Sequence, residues 1–163
     1  MFGGDTVSCR IEPDGEAVIV SAVTSEPEQP RALFRAVRVA DPAPAMRPGE
    51  PLPVLSLTLD GEFGSDYGSR AGDLFDLYRR EQVVHPAVWP ALANQVVHAH
   101  MARGSWIHMR SIVRHHACAP VGAHAEVHAN VVRRFQSRGE RAVLDVHVLV
   151  KDRKSTRLNS SHT

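Results

Sequence analysis

The chain has 163 residues, a formal net charge of +1 and 43% hydrophobic residues, a length that suggests about one domain. No apolar run approaches the ~20 residues of a membrane-spanning helix, and Cys9 and Cys118 stand alone without metal or redox spacing, so a cytoplasmic chain with no membrane partner is expected. The 17 arginines are scattered among acids without interleaved aromatics, which argues against a nucleic-acid partner.

Residues 5–11, 17–24 and 32–39 alternate apolar and polar side chains and are separated by Pro13-Asp14-Gly15 and by the stretch from Pro27 to Pro30. This pattern predicts three antiparallel strands. Residues 41–53 carry five prolines and a glycine and predict a stiff linker that stays out of a central sheet. A second unit is expected from about Val54.

Residues 54–59 read Val-Leu-Ser-Leu-Thr-Leu and predict a strand, broken by Asp60-Gly61 and Gly64-Ser65. Residues 66–80 predict a short helix followed by a loop. Between residues 86 and 101, Val88, Trp89, Leu92, Ala93, Val96, Val97 and Met101 recur at three- and four-residue intervals, predicting a helix buried on most sides. Pro86 is tolerated in its first turn, where no amide donor is needed. Three strands are expected next, over 106–116, 125–135 and 141–150, with turns at 120–122 and 137–139. A strand, a buried helix and three long strands are satisfied together if an antiparallel sheet curls around the helix, an α+β fold.

The last stretch, residues 152–162, reads D-R-K-S-T-R-L-N-S-S-H and resembles the in-frame translation of sequencing-adapter DNA. Residues 152–163 are therefore expected to be an artefactual tail without fold or function. Arg153, Lys154 and Arg157 against Asp152 give the tail +2, so removing it changes the net charge from +1 to −1.

The segment Ser69-Arg70-Ala71-Gly72-Asp73-Leu74-Phe75-Asp76-Leu77-Tyr78, then Val84-His85-Pro86 opening the helical run, then Trp106-Ile107-His108-Met109-Arg110-Ser111-Ile112-Val113 resembles the MaoC-like acyl dehydratase and R-specific enoyl-CoA hydratase superfamily. The resemblance implies a hot-dog fold, a curled antiparallel sheet around a central helix. It makes residues 54–151 a hot-dog domain and residues 1–40 the closing strands of a truncated first hot-dog unit, so that the chain is similar to a fragment of a double hot-dog protein. It also implies an acyl-CoA or acyl-carrier thioester as substrate, no separate cofactor, and a homodimer or an intramolecular hot-dog pair. Unpaired edges of an incomplete sheet are expected to associate.

The family motif has the form S-G-D-x-N-P-x-H. Ala71 stands at its Ser, Gly72 at its Gly, Asp73 at the catalytic Asp, Phe75 and Asp76 at Asn-Pro, and Tyr78 at the catalytic His. The resemblance assigns Asp73 and its partner to holding the water that adds to C3 of a 2-enoyl thioester. Polarisation of the thioester carbonyl falls to a backbone N–H near the helix start, around Pro86, Ala87, Val88 and Trp89.

The residues themselves leave alternatives. A phenol with an ordinary pKa of about 10 is a poor base near neutrality, so Tyr78 serves better as a hydrogen-bond donor. A Gly-Asp pair beside a helix is also a common turn or N-cap, which would make Asp73 structural. Pro86 has no N–H to offer a carbonyl, leaving Ala87 or Val88. His85 is the alternative base, or else a polar residue packed by Trp89. Arg110 and Arg114 lie four apart, on one face of a strand, where they would meet a CoA phosphate or form a solvated cation pair. The other histidines lack metal-ligand spacing, so no metal is expected. The leading expectation is an acyl-thioester hydratase or dehydratase, with a non-catalytic acyl-CoA-binding or interface half, and then an acyl-CoA thioesterase, as alternatives.

Overall fold

A computed structural model describes residues 7–25, 28–37, 40–101, 106–137 and 139–151. The described chain is α+β and divides between Pro42 and Ala43 into two compact units.

In the first unit, β1 (Val7–Asp14), β2 (Ala17–Ser25) and β3 (Glu28–Val37) form an antiparallel sheet in sequence order. Gly15, at φ +62°, makes the turn between β1 and β2, a conformation that costs glycine nothing. Register places Ile11 beside Val20 and Val20 beside Phe34, so one face of the sheet is apolar. Arg35 pairs with Asp14 at 2.9 Å and Arg10 with Glu28 at 2.7 Å. Strand β3 starts at Glu28, inside the stretch that the prolines suggested was a connection.

The second unit is built around β6 (His124–Gln136). One edge of β6 is paired along its length by β7 (Glu140–Lys151). The other edge is shared by two short strands, β4 (Glu50–Pro51) and β5 (Leu55–Thr58). Pairs 50/131 and 55/127 keep nearly the same register, so β4 and β5 behave as one strand interrupted at Pro53. Prolines are admissible because this is an edge strand. The proposed linker thus ends inside the sheet. Gly49 is needed at its entrance: a Cβ there would lie 2.5 Å from the Val131 carbonyl oxygen.

Two four-residue helices, α1 (Tyr67–Arg70) and α2 (Leu77–Arg80), precede the long helix α3 (Val88–His100). Val88, Leu92 and Val96 recur at every fourth residue of α3 and are buried. They meet Ala125, Val127 and Ala129, the alternate residues of β6 that point away from solvent. Alanine on the strand lets the helix axis come close, and valine fills the remaining space. Towards the C-terminal end of α3, Gln95, His98, Ala99 and His100 are exposed, so full burial is confined to the stripe of Val88, Leu92 and Val96 rather than extending over most sides.

The strand expected over residues 106–116 does not form. Ile107, Met109, Ile112 and Val113 are exposed instead. Strand propensity is realised only against a partner, and these residues pair with no strand of the sheet. Trp106 turns back onto the end of α3, its indole N–H donating to His98 Nε2 at 3.2 Å.

Leu92 has no exposed surface, and truncating such a leucine removes about 2–5 kcal/mol of stability. Leu92→Ala is expected to lower the urea midpoint of the second unit by a corresponding amount, with Gln95→Ala on the exposed side as a near-neutral control.

Candidate functional site

Two helix endings build the site. Helix α1 closes with Asp73 N–H on the Gly68 carbonyl at 2.9 Å and Gly72 N–H on the Ser69 carbonyl at 3.2 Å. These are the paired bonds of a Schellman turn, with Gly72 at φ +89° as its left-handed residue. The turn delivers Asp73 to the start of the next loop. Its Oδ1 accepts the Phe75 N–H at 2.9 Å, a turn in which the side chain stands in for a backbone carbonyl.

Helix α2 ends the same way. Val83 N–H bonds the Tyr78 carbonyl at 3.0 Å and Gln82 N–H the Arg79 carbonyl at 3.2 Å. Here the left-handed position holds Gln82, at φ +52°, rather than glycine. The chain then runs straight to His85, with the Val84 N–H anchored on the Ala119 carbonyl at 2.9 Å.

His85 joins the two endings. Its Nδ1 accepts the Ala87 N–H at 3.1 Å, which leaves the ring proton on Nε2. That nitrogen lies 3.1 Å from Asp73 Oδ2, so the imidazole donates to the carboxylate. The His85 side chain is 12% exposed and the Asp73 side chain 30%. The Phe75 amide foremost, opposed by partial burial and helped by His85, holds the Asp73 carboxyl below its ordinary value near 3.8. Asp73 is therefore an ionised, solvent-touching carboxylate with a donor at each oxygen.

Tyr78 presents its ring edge-on to His85 with centroids 4.5 Å apart. No hydrogen bond joins its hydroxyl to Asp73 or His85, so its contribution is packing. Gly68 lies behind the imidazole, where a Cβ would sit 2.7 Å from His85 Cδ2. The sequence offered no signal for Gly68, because its requirement comes from a ring seventeen residues away.

Asp73, Tyr78 and His85 are thus brought together, and Gly72 acts through the backbone of α1. The start of α3 is arranged differently from expectation. The Ala87 N–H is engaged by His85 Nδ1, the Val88 N–H by the His85 carbonyl at 3.0 Å and the Trp89 N–H by the Pro86 carbonyl at 3.3 Å. Pro86 has no N–H, so none of the expected carbonyl-polarising donors is free. Trp89 packs half-buried against the core. Arg110 and Arg114 lie on the exposed segment without a strand, which removes the shared face proposed for them.

A groove of about 670 Å³ lies at the other end of α3, lined by Pro53, Val54, Leu55, Gln95, Val96 and His98 among others. It includes neither Asp73 nor His85 in its lining. Among the described residues no group of three His, Cys, Asp or Glu side chains is arranged to hold a metal ion. Comparisons with protein-family models, with curated proteins and with solved structures find no match.

Two measurements check this geometry. A lowered carboxyl pKa contributes stability that is present above pH 3.8 and is lost as pH falls through the folded-state value. The stability difference between the native chain and Asp73→Asn should therefore shrink on acidification below that point and be constant above it. Gln82→Gly should raise stability by about 1 kcal/mol, because glycine relieves the left-handed strain; an unchanged urea midpoint would count against the α2 ending described.

Proposed function

We propose that the second unit is a hot-dog domain of the MaoC-like type that binds an acyl thioester and adds water to, or removes it from, a 2-enoyl group. The observation that carries this reading is the 3.1 Å contact between Asp73 and His85, a carboxylate with an imidazole N–H partner at the entrance of the long helix. The curved pairing of β4, β5, β6 and β7 around α3 is compatible with it.

In this reading Asp73 takes a proton from a bound water and the hydroxide oxygen bonds C3 of the enoyl thioester. The π-electron pair moves to C2, and Asp73 returns the proton there. Dehydration is the reverse. His85 does not exchange a proton, since Nδ1 holds the Ala87 amide and Nε2–H supports the carboxylate. It is a positioning residue. A carboxylate held below the ordinary range is a weak base near neutrality, so slow turnover is expected, and the carbonyl must be polarised by a donor other than the amides of Ala87, Val88 and Trp89.

A second reading is a non-catalytic acyl-thioester-binding half. It is favoured by the same bonds taken as a clamp: both imidazole nitrogens, both carboxylate oxygens and all available amides at the helix entrance have intrachain partners.

Incubation of the full chain with crotonyl-CoA separates the readings. Loss of enoyl absorbance, reduced by about a hundredfold or more in Asp73→Asn, supports hydration; an equal rate in that variant rejects Asp73 as base. Release of free thiol from acyl-CoA points to thioesterase chemistry. Saturable CoA binding with neither reaction supports the clamp.

A further inference from the structure

We infer that His128 of β6 and His147 of β7 together chelate one divalent transition-metal ion of the nickel, copper and zinc class, through their Nδ1 atoms, with water in the remaining positions. The site shares no residue with the pair of Asp73 and His85. The two histidines lie nineteen positions apart, which is no recognisable ligand spacing, and the antiparallel register sets them directly opposite one another. Ala125, Val127 and Ala129 of β6 face the core, so His128 lies on the other face of the sheet, and His147 with it.

Each imidazole turns Nε2 toward a carboxylate. His128 Nε2 lies 3.4 Å from Glu126 Oε2, and His147 Nε2 lies 3.6 Å from Asp145 Oδ2. Both carboxylates are fixed by other groups: Lys151 holds the second oxygen of Glu126 at 2.8 Å, and the Arg47 amide donates to Asp145 at 2.7 Å. An ionised carboxylate only accepts, so the ring proton belongs on Nε2 and Nδ1 carries a lone pair. Neither Nδ1 has a hydrogen-bond partner among the described residues. A carboxylate behind the imidazole N–H is the arrangement that orients metal-ligating histidines and raises their basicity.

Directly opposed residues of antiparallel strands have Cβ atoms about 4.5–5.5 Å apart. Two imidazole nitrogens bound to one ion, each about 2.0–2.1 Å from it, are about 3 Å from each other. Nδ1 is the ring nitrogen nearer Cβ, so rings leaning together reach that separation without moving either strand. Imidazole suits nickel, copper and zinc, whereas magnesium and calcium take oxygen ligands. Among the described residues no third His, Cys, Asp or Glu completes a ligand group, which leaves coordination positions open to water. The side chains are 35% and 24% exposed, so an aqueous ion reaches them.

Calorimetric titration of the full chain with Ni2+ alone tests the site, with exposed Cys9 and Cys118 replaced by serine to remove competing thiolates. The tightest site should hold one ion per chain. His128→Ala and His147→Ala should each weaken it about tenfold or more, and the double variant no further, because losing either ring already destroys the chelate. His124→Ala is the control: His124 shares the face but bonds Ser56, and its loss should leave the affinity unchanged. Because the two rings are opposed only while β6 and β7 are paired, Ni2+ should also raise the urea midpoint of the parent chain and not that of the double variant. Metal-free midpoints establish that each variant folds. No uptake, uptake indifferent to both substitutions, additive losses, an equal loss in His124→Ala or an unmoved parent midpoint would each overturn the proposal and leave an adventitious ion only.

Discussion

The burial of Val88, Leu92 and Val96 of α3 against Ala125, Val127 and Ala129 of β6 is the contact on which the second unit depends. It is an apolar contact between a stripe at period four and a face at period two, so it fixes both the axial position and the rotation of the helix. The strands on either side of β6 complete its hydrogen bonding. Everything at the start of α3 then inherits its position from that packing.

His85 uses this position. One ring nitrogen satisfies an amide of the helix entrance, and the other reaches a carboxylate delivered by the end of α1. An amide without a partner inside a fold is costly, and an imidazole acceptor at Nδ1 removes that cost while determining which nitrogen carries the proton. The Phe75 amide foremost, helped by this imidazole, makes Asp73 a good anion and a poor proton acceptor. Catalysis and clamping therefore draw on one set of bonds, and they differ only in whether water and a thioester can use the exposed part of the carboxylate.

Gly68, Gly72 and Gln82 show how backbone and side-chain chemistry meet here. Gly72 permits the left-handed turn that presents Asp73, and Gly68 leaves room for the imidazole. Gln82 accepts a conformation that glycine would adopt freely. Strain in the second turn lies three residues before His85, held by bonds from Val83, Val84 and Val121. The first unit is simpler, an amphipathic three-stranded sheet with two ion pairs across its strands.

Local patterns made much of this legible. Alternation located β1, β2, β5, β6 and β7, and the spacing of Val88, Leu92 and Val96 located α3, because strand period and helix period are properties of neighbouring residues; Asp73, Tyr78 and His85 were singled out through the resemblance of their segment to a family motif, and the structure brings the three side chains together. The rest required distant ones. Residues 106–116 have strand composition but pair with no strand of the sheet; β4 joins the sheet despite its prolines because only an edge is asked of it. Gly68 matters because of a ring seventeen positions later, and the Ala87, Val88 and Trp89 amides are occupied because the chain folds back on itself before α3. Sequence alone determined which segments could pair, pack or ionise; the tertiary structure decided which donors, acceptors and edges were already taken, since that depends on what each group meets in space.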